Sequence, residues 1–173
     1  NSETFINWKA PEPEFSHKAG RYSIAFSLTL TAPGSGYTIR YTTDGSEPVE
    51  SSPSYSYPVS VNKTTTVKAR CFAPGLSPGN VVANTYFIKE HTFNLPVISL
   101  SLDSKYLWDN AIGIYTNGTN GITGNCSDSP MNWNRNWERY AHVEYFLRDG
   151  TRIINTGAGL KIAGGCSRGF EQK

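Results

Sequence analysis

The chain has 173 residues, 38% hydrophobic and 13% aromatic, enough to bury one large core or two small ones. Only 17% are charged and the formal net charge is +2; no segment gathers the lysines and arginines into the basic patch that nucleic-acid binding needs, so nucleic acid is set aside as a partner. No apolar run reaches membrane-spanning length, and the wealth of Tyr, Ser, Thr, Asn and Gly beside a single Met points to an extracellular β protein.

The first predicted element is YSIAFSLTLTAP from Tyr22, where Ile24, Phe26, Leu28 and Leu30 alternate with Ala25, Ser27 and Thr29. Period two over this length predicts one half-buried strand, ended by Pro33, Gly34 and Gly36. YTIRYTTDG follows, with Ile39 and Tyr41 inward and Asp44-Gly45 as a tight hairpin turn, closed by Pro48. That turn has a structural reading; the competing one displays Asp44 and Glu47 to a cation or a sugar. PVSV is a third short strand. TTTVKARCF is a fourth, with Val67, Ala69 and Cys71 inward and Lys68 and Arg70 outward, and VVANTYFI closes the series. Short strands separated by Gly, Pro and Ser turns predict an all-β sandwich of two antiparallel sheets.

After Ile88 the texture changes. KEHTFNLP is a connector, VISLSL an apolar strand, and DSKYLWDN one helical turn with Asp103 or Ser104 as N-cap. GIYTNGTNGITGNCSDSP is a long loop. RYAHVEYFLRDGTRIINTG predicts a hairpin joined at Asp149-Gly150 in a type I′ turn, and AGLKIAGGCSRGFEQK predicts one more strand entering a glycine-rich loop. Two domains are expected: 1–91, with a core over about 15–88, and 92–173.

Several side chains invite a chemical role. GCSRG matches G-x-S-x-G, but no histidine follows it, so a hydrolase nucleophile elbow is rejected. Gly164 and Gly169 have the spacing of a phosphate loop, yet Phe170 and Glu171 replace its lysine and hydroxyl. From these residues alone it reads as an ordinary flexible loop; the alternative is a turn whose backbone N–H groups, with Arg168 and Lys173, meet an anion. His17, His91 and His142 lack metal-ligand spacing and read as surface or interface residues. Trp133 and Trp137 read as packing residues, with sugar stacking the alternative. Asn62, Asn117 and Asn125 head sequons. Three cysteines allow one internal bridge. Cys71 shares a strand face with Val67 and Ala69 and is expected to be a buried free thiol, leaving Cys126 and Cys166 as the candidate disulfide.

TIRYTTDGSEP, SSPSYSYPVSV and TTTVKARCFAPGLSPGNVVANTYFI resemble the immunoglobulin-like domain named after the C-terminal domain of chitobiase and β-hexosaminidase. That resemblance implies a non-catalytic sandwich appended to secreted bacterial enzymes and surface proteins, and so a secreted or cell-surface location. LPVISLSLD, LWDNAIGIY, NWERYAHVEYFLRDGTR and AGLKIAGGCSRGFEQK resemble the beginning of the CotH family of kinase-like proteins, with Ala163 a departure from the polar residue expected there. This second resemblance implies an incomplete kinase-like segment, inactive by itself. It makes Gly164, Gly165, Ser167, Arg168 and Lys173 candidate nucleotide- or phosphate-binding residues, with no catalytic or metal-binding residue in the chain. For a full-length protein it implies ATP and Mg as cofactors and a cell-surface protein or glycan as phosphoryl acceptor. The alternative, of a different class, is a carbohydrate-binding or adhesion module.

Overall fold

A computed structural model describes residues 8–90, 94–124 and 126–169. The fold is mainly β. It divides into two compact units, residues 1–99 with 144–154, and residues 100–143 with 155–173. The first unit thus includes a segment, 144–154, far beyond residue 91 in the chain.

The first unit is built from β1 (Glu14–Phe15), β2 (Gly20–Tyr22), β3 (Phe26–Leu28), β4 (Leu30–Thr31), β5 (Thr38–Thr42), β6 (Val59–Val61), β7 (Thr65–Phe72) and β8 (Val82–Ile88). A four-stranded sheet runs β2-β8-β7-β5, while β3 pairs with β6 and β1 with β4. The core joins Ile39, Val67, Ala69, Cys71, Tyr86 and Ile88 of the sheet to Leu28, Leu30 and Val61 of the two pairs. Alternation places these residues, because every second side chain of a strand faces the same way.

Three expectations change here. The single strand expected from Tyr22 to Thr31 is three strands. β2 hydrogen-bonds to β8 and β3 to β6, so the chain changes sheets at Ser23–Ala25, and Ile24 on that bend is 69% exposed rather than inward. The sheets are not wholly antiparallel either, since β2 and β8 run parallel, Gly20 opposite Tyr86. Lys68, expected outward, is 1% exposed. Its strand lies in the middle of the sheet and its ammonium meets Gly45 O and Glu47, while the second face of β8 is covered: Phe146 meets Phe87 edge-on at 5.0 Å, and Glu144 and Arg152 lie against Thr85 and Asn84. This cover explains why β8 is buried on both faces from Ala83 to Ile88.

The remaining elements are β9 (Val97–Ser101), α1 (Lys105–Trp108), β10 (Ile122–Gly124), β11 (Ser127–Met131), β12 (Arg139–Phe146) and β13 (Arg152–Leu160). β10 pairs with β11, and β13, β12 and β9 form a three-stranded sheet in that order. Before α1, Asp103 Oδ1 accepts the Lys105 N–H at 3.0 Å. The Asp149-Gly150 turn is not type I′, which needs positive φ at both residues; here Gly150 alone has it, at 88°. Gly150 N–H donates to Leu147 O and Leu147 N–H to Thr151 O, giving a three-residue loop in which glycine takes the left-handed position. The strand expected from Ala158 is not a separate element, because β13 runs continuously to Leu160.

Candidate functional site

β13 leads into the glycine-rich turn. Gly164 has φ +112°, and a Cβ there would lie 2.5 Å from Ser167 Oγ, so glycine is required. Residues Cys166–Gly169 form one 3₁₀ turn, closed by Arg168 N–H donating to Gly165 O at 3.2 Å. Arg168 Nε donates to Gly164 O, so its guanidinium is folded onto the turn's own carbonyl. Gly164, Gly165 and Ser167 are exposed, while Lys173 lies outside the described residues. Cys126 and Cys166 are joined in a disulfide with Cα atoms 5.1 Å apart, and Cys71 is a buried free thiol. The crosslink anchors this turn. Burial raises the Cys71 thiol pKa, which keeps it protonated and unreactive.

The Trp133-Trp137 stretch is structural. Asn132, Trp133 and Asn134 form a buried 3₁₀ turn. Asn132 Nδ2 donates to Asn110 O and Gly113 O at 2.9 and 3.1 Å, while its Oδ1 accepts the Asn120 N–H. Asn134 Nδ2 donates to Ile122 O, Gly124 O and Ser127 Oγ. Trp133 Nε1 donates to Asn117 Oδ1 at 2.8 Å. The Arg135 and Arg139 guanidiniums lie 5.4 and 4.8 Å from the Trp137 ring centre, where a stacking sugar would have to sit.

Nor does the YTTDGSEP turn form a simple hairpin. β5 pairs along its length with β7, while the segment after the turn meets β5 at an Arg40–Ser54 bridge, with Arg40 Nη1 donating to Ser52 O and Thr42 Oγ1 to Ser46 O. Asp44 Oδ1 accepts from Ser46 N–H and Oγ at 3.0 and 2.6 Å, an Asx turn. Gly45 O and Glu47 Oε1 each accept from Lys68 Nζ at 2.8 Å. The motif's acidic residue and turn carbonyl therefore neutralise and satisfy a buried ammonium.

A second buried ion pair escaped the sequence reading. Glu144 Oε1 accepts from Arg152 Nη1 at 2.6 Å and from the Thr85 N–H at 3.2 Å, while Oε2 accepts from Thr85 Oγ1. Arg152 Nη1 also reaches Asn84 Oδ1 and Ala83 O. The available signal was Glu144 standing in phase with Phe146 on an alternating strand. His142, expected at a surface or interface, is buried, with Nε2 2.5 Å from Asn155 Oδ1; a ring nitrogen paired with an amide tolerates burial. His17 stacks on Phe26 at 4.1 Å, and His91 lies outside the described residues. Among the described residues no three His, Cys, Asp or Glu side chains converge as metal ligands, and no helix is long and apolar enough to cross a membrane.

Comparison with known proteins places one region of the chain. Residues 17–83 match the family model of the chitobiase/beta-hexosaminidase C-terminal domain, the span from His17 through β7 to the start of β8. No curated protein and no solved structure gives a match.

Proposed function

We propose that the chain is a non-catalytic accessory β-sandwich joined to the opening strands of a CotH-type kinase-like domain, in a secreted or cell-surface protein. The observation that carries this reading is the β12–β13 hairpin running into an anchored Gly164–Gly169 turn whose backbone is exposed. A phosphate-covering loop needs bare glycine backbone and a fixed entry strand, and both are present. The exposure of Gly164, Gly165 and Ser167 supports a contact with the phosphates of ATP. On this reading a protein containing the whole kinase-like domain transfers a phosphoryl group to a protein or glycan, with ATP and Mg as cofactors and Lys173 pairing with the nucleotide phosphates.

Calorimetry with ATP and Mg tests this. The 173-residue chain should bind no tighter than about millimolar, roughly −4 kcal/mol. A longer protein containing it should bind ATP with metal and lose affinity on Lys173→Ala. Micromolar binding by the 173-residue chain, or silence of the longer protein, overturns the kinase-like half. A second reading, carbohydrate binding without enzymatic role, is favoured by the exposed rings of Tyr57, Trp8 and Trp108. A glycan array separates it from the first.

A further inference from the structure

The stretch before β1 is held against the turn that follows β7. Ala10 N–H donates to Ser77 O and Ser77 N–H to Trp8 O, each at 2.9 Å, so Lys9 and Ser77 form a parallel bridge. Ala10 belongs to the main core cluster, and Gly79 N–H donates to Cys71 O at 3.0 Å. The two segments approach closely: a Cβ on Gly79 would lie 2.7 Å from Pro11 O and 2.9 Å from Ala10 O. Three side chains meet beside this contact. Lys9 Nζ donates to Asn80 Oδ1, and Asn80 Nδ2 donates to Glu12 Oε1 at 2.7 Å. Lys9 and Asn80 stand 71 residues apart in the chain, yet a single amide joins the amine to the carboxylate.

The order of these contacts decides their chemistry. The amide oxygen that Lys9 touches is bonded to the carbonyl carbon, the atom that an amine attacks. The amide nitrogen that Glu12 touches is the group that such an attack expels, and a carboxylate beside a leaving nitrogen can carry its proton. We propose that Lys9 and Asn80 condense to an intramolecular isopeptide bond, with Glu12 carrying the proton between the two nitrogens. The lysine ammonium first loses a proton to water. Attack by Nζ then places both nitrogens on Asn80 Cγ, so a carboxylate touching one reaches the other. Glu12 takes a proton from Nζ and gives it to Nδ2 as the Cγ–Nδ2 bond breaks. The ammonia released is protonated in water, so an ammonium and a primary amide become a secondary amide and an ammonium ion. No oxidant or further reactant enters. All three side chains are exposed, which lets the ammonia leave into solvent. The link fastens the chain before β1 to the turn after β7 and is independent of both functional readings above.

Intact mass tests this on the 173-residue chain, stored for several days in mildly alkaline buffer and then reduced and unfolded. The chain should weigh one ammonia less than its sequence requires, and tryptic digestion should yield a branched peptide joining Lys9 to Asn80. Lys9→Arg keeps the positive charge but offers a guanidinium in place of the amine; it should show the full sequence mass and no branched peptide. Glu12→Gln keeps the size of the side chain without its basic oxygen, and should form the link about a hundredfold more slowly, the usual loss with a proton carrier. Both positions are exposed, so neither substitution disturbs the core. A parent chain still at its full mass after storage overturns the proposal. A deficit of ammonia that persists in Lys9→Arg arises at an asparagine reacting with its own backbone and overturns it equally. Linkage at the parent rate in Glu12→Gln overturns the proton transfer on which the step stands.

Discussion

Residues 24–88 and residues 110–134 fold by opposite means. In the first stretch the main core cluster is apolar and periodic: Leu28, Val61, Val67, Ala69, Cys71 and Tyr86 come from strands whose alternate side chains meet in one cluster. The second stretch buries Asn132 completely and Asn134 nearly so, and their amides hold the backbone at Asn110, Gly113, Asn120, Ile122 and Gly124. Apolar burial is non-directional and tolerates small shifts, whereas an amide bonding several fixed carbonyls specifies one loop path. A polar pin of this kind suits a segment with too few apolar residues to collapse.

The largest expected effect separates the two regions most sharply. The Cys126–Cys166 bridge spans 40 residues of sequence, and its loss releases chain entropy worth about 4 kcal/mol. Reduction should raise amide hydrogen exchange across 120–134 and 160–169, while the strands between 26 and 88 keep their protection. Equal loss of protection in both regions would remove the distinction drawn here.

Point substitutions sharpen it. Leu28→Ala should cost about 3 kcal/mol in urea unfolding, the usual penalty for a cavity in a packed core. Asn132→Ala removes the amide's bonds to Asn110 O, Gly113 O and the Asn120 N–H, of which the Gly113 carbonyl belongs to a buried residue, and should cost about 2 kcal/mol. Asn132→Leu, which restores bulk without hydrogen bonds, should rescue nothing. If leucine recovers the parent stability, Asn132 is a packing residue and the polar-pin account fails.

The same contrast governs what could be read without coordinates. Alternation located β5, β6, β7 and β8 and the inward Leu28, Ile39, Val67, Ala69 and Cys71, but it ran β2, β3 and β4 together and turned Ile24 inward, because a change of sheet leaves no mark on a period-two pattern. It also misjudged Lys68, whose ammonium is enclosed by Gly45 O and Glu47, and it could not foresee the second cover of β8, which comes from residues 144–154, far along the chain. Asn132 and Asn134 were invisible for a different reason. Their bonds run to backbone carbonyls, which every residue possesses, so no side-chain spacing announces them. At the glycine turn, the residues themselves were legible from GGCSRG. The folding of Arg168 onto Gly164 was not, because it follows from local backbone geometry.

The smallest expected effect concerns the Asx turn at the start of YTTDGSEP. Hydrogen bonds from the Ser46 side chain and backbone, with the Lys68 charge a lesser cause, hold the Asp44 carboxyl below its ordinary value of 3.8. A depressed folded pKa means that the ionised form is the one the fold favours. The stabilisation is therefore present above 3.8 and is lost as pH falls through the lower, folded value. Asp44 is exposed and solvent screens it, so the contribution should stay below about 1 kcal/mol. Ser46→Ala removes the 2.6 Å hydroxyl bond but keeps the backbone one. An NMR titration of the Asp44 carboxyl should then shift upward, toward the ordinary value, without reaching it. Urea midpoints of the two proteins should converge once the pH lies below the parent's lowered, folded value, where neither carboxylate survives. An unshifted titration in Ser46→Ala would mean that Lys68 and the backbone set the value. The turn would then be held by the buried ammonium that Gly45 and Glu47 enclose, rather than by its own side chains.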